Sequence, residues 1–74
     1  MLIFESGKVY HQQFENGDRE FFLAIERFKN GRWKGYRTSG NRKPVQYAAD
    51  PSIPAWVETP QNEVPAKLAR VLNP

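Results

Sequence analysis

The stretch "NGDREFFLAIERFKNG", residues 16–31, decides the fold, because an Asn-Gly dipeptide stands at each of its ends. Asn-Gly adopts the positive φ angles of a tight hairpin turn at low steric cost, and between apolar-containing segments it is the strongest short-range sign of a hairpin. The phenylalanines and the isoleucine between the two dipeptides suit the pleated surface of a sheet. The stretch therefore predicts a strand, residues 18–29, with a hairpin turn on either side.

A helix over about residues 18–29 is the rival interpretation of the same stretch. Asp18 could cap its start and Gly31 its end, and apolar residues recur at the spacing of one helical face: Phe21, Ala24, Ile25 and Phe28. The strand is preferred because hairpin signals lie on both sides, and an α+β fold with this helix is the alternative.

Two further turn dipeptides, Ser6-Gly7 and Gly40-Asn41, divide the rest of residues 1–49 into segments of strand length. The predicted strands are residues 2–5, 8–15, 18–29, 32–39 and 42–48. Together they predict a mainly β fold, an antiparallel meander of four to five strands that could curl toward a small SH3-like barrel. Its core is expected to contain Phe4, Phe14, Phe22, Leu23 and Phe28.

The remainder of this single domain differs in composition from the hairpin meander. Residues 50–61 are rich in proline, which fixes φ and removes N–H donors, so an extended wrap is expected, pinned to the sheet by Trp56. Residues 55–59 could pair at a sheet edge. Residues 62–72 predict a short C-terminal amphipathic α-helix that must lie on the sheet or on a partner, with an apolar stripe of Val64, Leu68, Val71 and Leu72.

The composition limits what such a chain can be. A length of 74 residues allows one domain, which buries only roughly 60% of the surface of the unfolded chain. The sequence has no cysteine, which removes disulfides and thiolate metal sites and fits a reducing compartment. It shows neither a signal peptide nor a membrane span, so a cytoplasmic protein without a membrane partner is expected.

Positive charge is concentrated in "RFKNGRWKGYRTSGNRK", residues 27–43, which holds seven of the eleven basic residues and no acidic one. The rest of the chain carries four basic and eight acidic residues. A two-residue loop at Asn30-Gly31 would place Lys29 opposite Arg32, Arg27 opposite Lys34 and Phe28 opposite Trp33. The like-charge pairs would oppose folding, whereas an anionic partner would turn their repulsion into attraction. A solvated hairpin without a partner is the plain alternative.

Nothing in the sequence predicts an enzyme, a cofactor, a metal site or a small-molecule substrate. His11 is the only histidine and lies within a predicted strand, where cross-strand packing is the ordinary role. No glycine-rich phosphate loop or nucleophile motif is present.

The sequence therefore predicts a small regulatory binding protein that docks on a larger acidic protein or nucleoprotein complex. A nucleic-acid-handling machine such as RNA polymerase is the favoured partner, with modulation of transcription as the role, and such a role is compatible with small phage-encoded proteins. Direct binding of DNA or RNA is the alternative. The predicted partner-binding residues, with Trp33 or Tyr36 as aromatic anchor, are Arg27, Lys29, Arg32, Trp33, Lys34, Tyr36, Arg37, Arg42 and Lys43.

Overall fold

The structure, a computed structural model, describes residues 3–40, 42–52 and 56–72. Five strands form one antiparallel sheet in the order β4-β3-β2-β1-β5. They are β1 (Val9–Gln13), β2 (Arg19–Arg27), β3 (Trp33–Ser39), β4 (Val45–Ala49) and β5 (Val57–Glu58). A 3-10 turn (Gln61–Glu63) and the helix α1 (Ala66–Leu72) follow. The predicted mainly β fold with a C-terminal helix is confirmed, and the rival helix over 18–29 is wrong, because that stretch forms β2.

The fifth strand is not the one expected. Residues 3–5 of the predicted strand 2–5 form no strand, and residue 2 lies outside the described part. To form a strand, these residues would have to pair with β2. The segment after the Ser6-Gly7 turn takes that place, because the Gly7 N–H donates to the Ala24 carbonyl and the Ala24 N–H donates to the Lys8 carbonyl. The fifth strand is instead β5, which pairs with β1, so the edge pairing expected within residues 55–59 is confirmed.

The remaining boundaries shift by a few residues. The helix begins at Ala66 and not at residue 62, because a separate 3-10 turn covers residues 61–63. The connection from β3 to β4 spans residues 40–44, longer than the predicted two-residue turn at Gly40-Asn41, whose Asn41 lies outside the described residues. Barrel closure is not found among the described strands, since β4 and β5 stay at opposite edges.

Two hairpin loops are built alike, from "FENGD" (residues 14–18) and "FKNGR" (residues 28–32). In each loop the phenylalanine N–H donates to the carbonyl of the fifth residue, at 2.8 and 2.7 Å, and its carbonyl accepts from the glycine N–H, at 3.0 and 3.1 Å. The asparagine Oδ1 accepts from the fifth residue's N–H, at 3.0 Å in both. Both are three-residue loops, so the predicted two-residue loop at Asn30-Gly31 is wrong.

The backbone angles explain that difference. A two-residue type I′ turn needs positive φ at both central residues. Among the described residues only glycines have positive φ, including Gly17 (φ 91°) and Gly31 (φ 88°). Each asparagine therefore belongs to a type I turn, and the glycine after it closes the loop as a bulge. Glycine is needed there because a Cβ penalises this backbone region.

The sheet has a core on each face. On one face Phe22 packs with Phe4, Tyr10 and Trp56, and the Phe4 and Tyr10 rings stack at 4.4 Å between centroids. On the other face Leu23 packs with Val9 and with Leu68 of α1, flanked by Val64 and Val71. The side chain of Leu72 is outside the described part. No helix within the described ranges has the length and apolar composition that crossing a bilayer requires.

Two predicted core residues are not in the core. Phe14 and Phe28 keep 47% and 41% of their surface exposed. Each is the first residue of one of the two matching loops, where its backbone closes the loop and neither core cluster includes its side chain. The burial predicted for Phe4, Phe22, Leu23 and Trp56 is confirmed.

Gly35 permits β3 to lie close against β2. A Cβ at this position would come within 2.7 Å of the Phe22 ring and closer still to the Leu23 carbonyl oxygen. We therefore expect Gly35→Ala to lower the free energy of unfolding by about 3 kcal/mol or more, because it overpacks the central strands. Urea denaturation monitored by tryptophan fluorescence measures this loss.

The matched control is Gly17→Ala, where a Cβ has open space and only the positive φ opposes it. This variant should lose about 1 to 2 kcal/mol. Equal losses in the two variants would contradict the close approach of β2 and β3 at Gly35.

Candidate docking site at the basic hairpin tip

The end of the β2–β3 hairpin carries four exposed cations, which we call the basic tip: Arg27, Lys29, Arg32 and Lys34. Arg27 ends β2, Lys34 is the second residue of β3, and the other two flank the Asn30-Gly31 dipeptide. Among the described residues, none of the four forms an ion pair within 4 Å, whereas Lys8, Arg19 and Arg37 each pair with a carboxylate. The basic tip therefore presents charge that the fold does not neutralise by direct contact.

The three-residue loop sets which tip residues face each other. Because Phe28 pairs with Arg32 across the loop, Arg27 lies across from Trp33, and Lys34 lies across from Glu26. Farther from the tip, the pairing of β2 with β3 shifts by one residue between Ala24 and Glu26. The predicted pairs Arg27–Lys34 and Phe28–Trp33 are therefore wrong, because a register change of one residue moves a side chain to the other face of the sheet.

The corrected register removes the repulsion expected between strands. Lys34 and Glu26 are opposite charges at directly paired positions, an arrangement that favours pairing. The predicted opposition of Lys29 and Arg32 is also wrong, because Arg32 N–H donates to Asn30 Oδ1 in a three-residue loop and Arg32 pairs with Phe28. The tip is thus a stable hairpin end whose charge imposes little strain on the strands.

The exposed aromatic residue of the tip is Phe28. Trp33 is half-buried and packs against the core, with its ring edge-on to Phe4 at 6.2 Å. Tyr36 is half-buried on the opposite face, against the cluster that includes Leu68. The two predicted anchors are therefore largely committed to packing. Sequence reasoning missed Phe28 as a surface residue because the wrong register paired it with Trp33.

Arg37, Arg42 and Lys43 do not join the basic tip. We call these three residues the far-end cations, because β3 runs away from the tip for seven residues and so spans about 20 Å. Successive connections of a meander alternate between the two ends of a sheet, so the connection after β3 lies at the opposite end from the basic tip. The structure divides the nine predicted residues between two ends of the sheet and its two faces.

Arg37 has a structural role. Its Nε lies 3.4 Å from Oε1 of Glu20, which is buried, and its guanidinium stacks on the Tyr47 ring at 4.5 Å from the centroid. Gln12 donates to the other Glu20 oxygen at 3.0 Å. Arg37 therefore balances a buried carboxylate and is not a free surface cation.

Arg42 and Lys43 are exposed on a connection that the fold holds in place. Thr38 Oγ1 donates to the Arg42 carbonyl at 2.7 Å, and Lys67 Nζ donates to the same carbonyl and to that of Gly40. The connection borders a groove of about 420 Å³ that also includes residues of β3. The far end thus offers a second, smaller basic surface.

Outside the two basic surfaces, the arrangement of the titratable side chains indicates a role in packing. No group of three or more His, Asp or Glu side chains that could hold a metal ion occurs within the part of the chain that the structure describes. His11 is half-buried, and its ring packs at a tilt against that of its cross-strand neighbour Phe21, with 5.8 Å between centroids. Its Nδ1 lies 2.8 Å from Thr59 Oγ1. The predicted packing role of His11 is confirmed.

The chain matches no protein-family model, no curated protein and no solved structure.

Replacing Arg37 tests its structural role. Arg37→Ala leaves the buried Glu20 carboxylate without its cation, so we expect a loss of about 1 to 2 kcal/mol in the free energy of unfolding, moderated because Arg37 is partly exposed. Urea denaturation gives the value. Arg42→Ala removes the same charge from an exposed position and should change stability by less than about 0.5 kcal/mol. If both variants are equally stable, Glu20 does not depend on Arg37.

The pH dependence of stability tests the environment of His11. Burial, and then the charge of Arg19, lower the pKa of His11 in the fold. The unfolded chain therefore takes up the proton more readily, so stability is full above about pH 6.5 and falls as the pH drops below it. His11→Asn cannot be protonated and should lose less in melting temperature between about pH 7 and pH 5 than the original protein. Parallel losses would show that His11 is not shielded from solvent.

Proposed function

We propose that this protein is a small regulatory binding protein that docks its basic tip on an acidic surface of a larger protein complex. The observation that carries the proposal is a set of four exposed cations without ion pairs, grouped at one hairpin end beside the exposed ring of Phe28. Two of the cations, Lys29 and Arg32, lie on or next to a loop braced by the Asn30 side chain. A braced loop loses little conformational freedom on binding, which favours affinity.

The charge distribution supports an acidic protein as the direct ligand. Outside residues 27–43 the chain carries eight acidic residues against four basic ones, which would repel phosphates approaching from other directions. A dedicated nucleic-acid binder has a broader basic footprint. A nucleic-acid-handling machine such as RNA polymerase is the partner we propose, with transcription as the regulated process, because its surfaces can offer acidic protein to the basic tip and phosphates to the far end.

Direct nucleic-acid binding is the second candidate, favoured by the two separate basic surfaces. Exposed phenylalanine can stack on an unpaired base, and Arg42 and Lys43 could contact phosphates of the same strand. About four phosphate contacts with a single strand would make the logarithm of affinity fall with the logarithm of salt at a slope near −3. This steep salt dependence distinguishes the second candidate from a mixed polar and apolar protein interface.

The variant that tests the docking site replaces Lys29 and Arg32 together by alanine. Lys34 is left in place because it faces Glu26 and contributes to pairing. We expect retention of the partner to fall about tenfold or more, since both cations lie on the protruding loop. The melting temperature should not change, because neither side chain forms an ion pair among the described residues. The measurement is capture of proteins from nuclease-treated lysate on the immobilised protein, quantified by mass spectrometry.

The control is Arg42→Ala with Lys43→Ala, which removes equal charge from the far end. It should retain the partner that the tip variant loses. Equal loss in both variants would mean that net charge, and not the basic tip, determines binding. Loss of all capture after nuclease treatment, with a steep salt dependence on a single-stranded oligonucleotide, would overturn the protein partner in favour of direct nucleic-acid binding.

A further inference from the structure

The open edge of β4 is the feature that carries a further inference. β4 is the last strand of the sheet, with β3 on one side and no described strand on the other. Alternate residues of an edge strand direct their N–H and C=O groups away from the sheet, where another strand can pair with them. We infer that two copies of this chain pair through β4, antiparallel across a two-fold axis, to form one continuous ten-stranded sheet.

The two edges of the sheet differ in how well they are protected. β5 has only two residues, one of which is Glu58, and Lys8 lies 3.6 Å from that carboxylate. Thr59 and Pro60 follow it directly, and proline has no N–H to donate. Short length, charge and proline are the devices by which edge strands avoid unwanted pairing. β5 therefore cannot accept another strand over any length.

β4 lacks these devices. Its five residues, "VQYAA", include neither a charge nor a proline, and Pro44 and Pro51 lie outside the strand. Four of the five are exposed, with Val45 at 51% and Tyr47 at 38%. These two side chains alternate along the strand and so share one face. An uncharged edge with an apolar stripe beside it is the surface that strand pairing would cover.

A second copy is the occupant because the edge is complementary to itself. If Tyr47 pairs with Tyr47 of the second copy, Gln46 lies opposite Ala48 and Val45 opposite Ala49 in an antiparallel ladder. Lys43 stands two residues before the strand, and Asp50 directly follows it. Antiparallel pairing brings the Lys43 end of each copy to the Asp50 end of the other. Opposite charges thus meet at both ends of the interface, and the five residues of the paired strands carry no charge.

The pairing would also bring the far-end cations of one copy close to the basic tip of the other, a consequence that rests on the proposed function. Ala49 pairs with Trp33, so the end of β4 lies on the side of the basic tip. In the dimer, Arg42 and Lys43 of one copy come to that end of the other copy. Two strand spacings, about 10 Å, would separate them from β3 at the tip. The far-end cations of the second copy would then lie beside each basic tip without belonging to the docking site itself.

The test is the molar mass in solution, measured by sedimentation equilibrium over a hundredfold range of concentration. The full chain should approach twice its 8.6 kDa mass at the upper end. Gln46→Glu with Ala48→Glu places like charges opposite each other across the two-fold axis, so its mass should fall to that of one chain. Within the fold, position 48 faces Lys34, so the second substitution suits the monomer. Circular dichroism checks that each variant is folded.

The matched control is Gln46→Lys with Ala48→Glu, which places opposite charges across the same axis and should remain dimeric. Gln46→Lys with Ala48→Lys repeats the like-charge test with the other sign. A chain that stays monomeric at all concentrations overturns the inference and leaves the edge to a strand of a different protein. A dimer that persists in all three variants also overturns it, because these substitutions would not affect a dimer that forms through another surface.

The mass measurement does not depend on the docking partner. If the dimer forms but the Lys29 and Arg32 variant still captures the partner, the proposed function fails and the pairing of β4 stands. If the chain is monomeric but that variant loses the partner, the proposed function stands without the dimer.

Discussion

The burial of β2 on both faces is the constraint on which the rest of the structure depends. Phe22 and Ala24 face one core and Leu23 faces the other, all with no exposed surface. A chain of 74 residues has few bulky side chains, and its folded state must offset a conformational entropy cost that grows with every ordered residue. The segments before β1 and after β4 therefore cover the two faces of the sheet. Residues 3–5 and Trp56 close one face, and α1 closes the other.

The hairpin loops determine how the surface is divided because they set the register of the strands that β2 contacts. The same five-residue pattern, Phe-x-Asn-Gly-x, closes β2 at both ends. Its variable positions are acidic in residues 14–18 and basic in residues 28–32. The same loop conformation thus presents negative charge at one end of β2 and positive charge at the other. The acidic and basic parts of the sequence are therefore also separated in the folded molecule.

The sequence was sufficient to predict the fold class, most strands and the C-terminal helix, because each rests on local signals. Asn-Gly dipeptides, aromatic and β-branched residues, and an apolar stripe act within a few positions of one another. It was insufficient for the register at the basic tip, since a loop of three residues and not two changes the pairing by one residue. The misplacement of Phe28 follows from that register. The prediction that groups the far-end cations with the tip rests on their closeness in sequence, and closeness in sequence does not show at which end of the sheet a residue lies. The pairing of Arg37 with Glu20 joins different strands, and no local pattern predicts it.

The ion pairs of the fold explain why the basic tip stays free. Lys8 forms ion pairs with Glu5 and Glu58, and Arg19 forms one with Glu63 at 3.0 Å. Lys67 donates hydrogen bonds to carbonyl groups of the β3–β4 connection. Each of these cations joins parts of the chain that are distant in sequence or separated by a turn. The cations of the basic tip lie on a local hairpin that its own backbone bonds already close. An exposed ion pair there would add only about 0 to 1 kcal/mol. Folding therefore gains little by neutralising the tip, and its charge remains available to a partner.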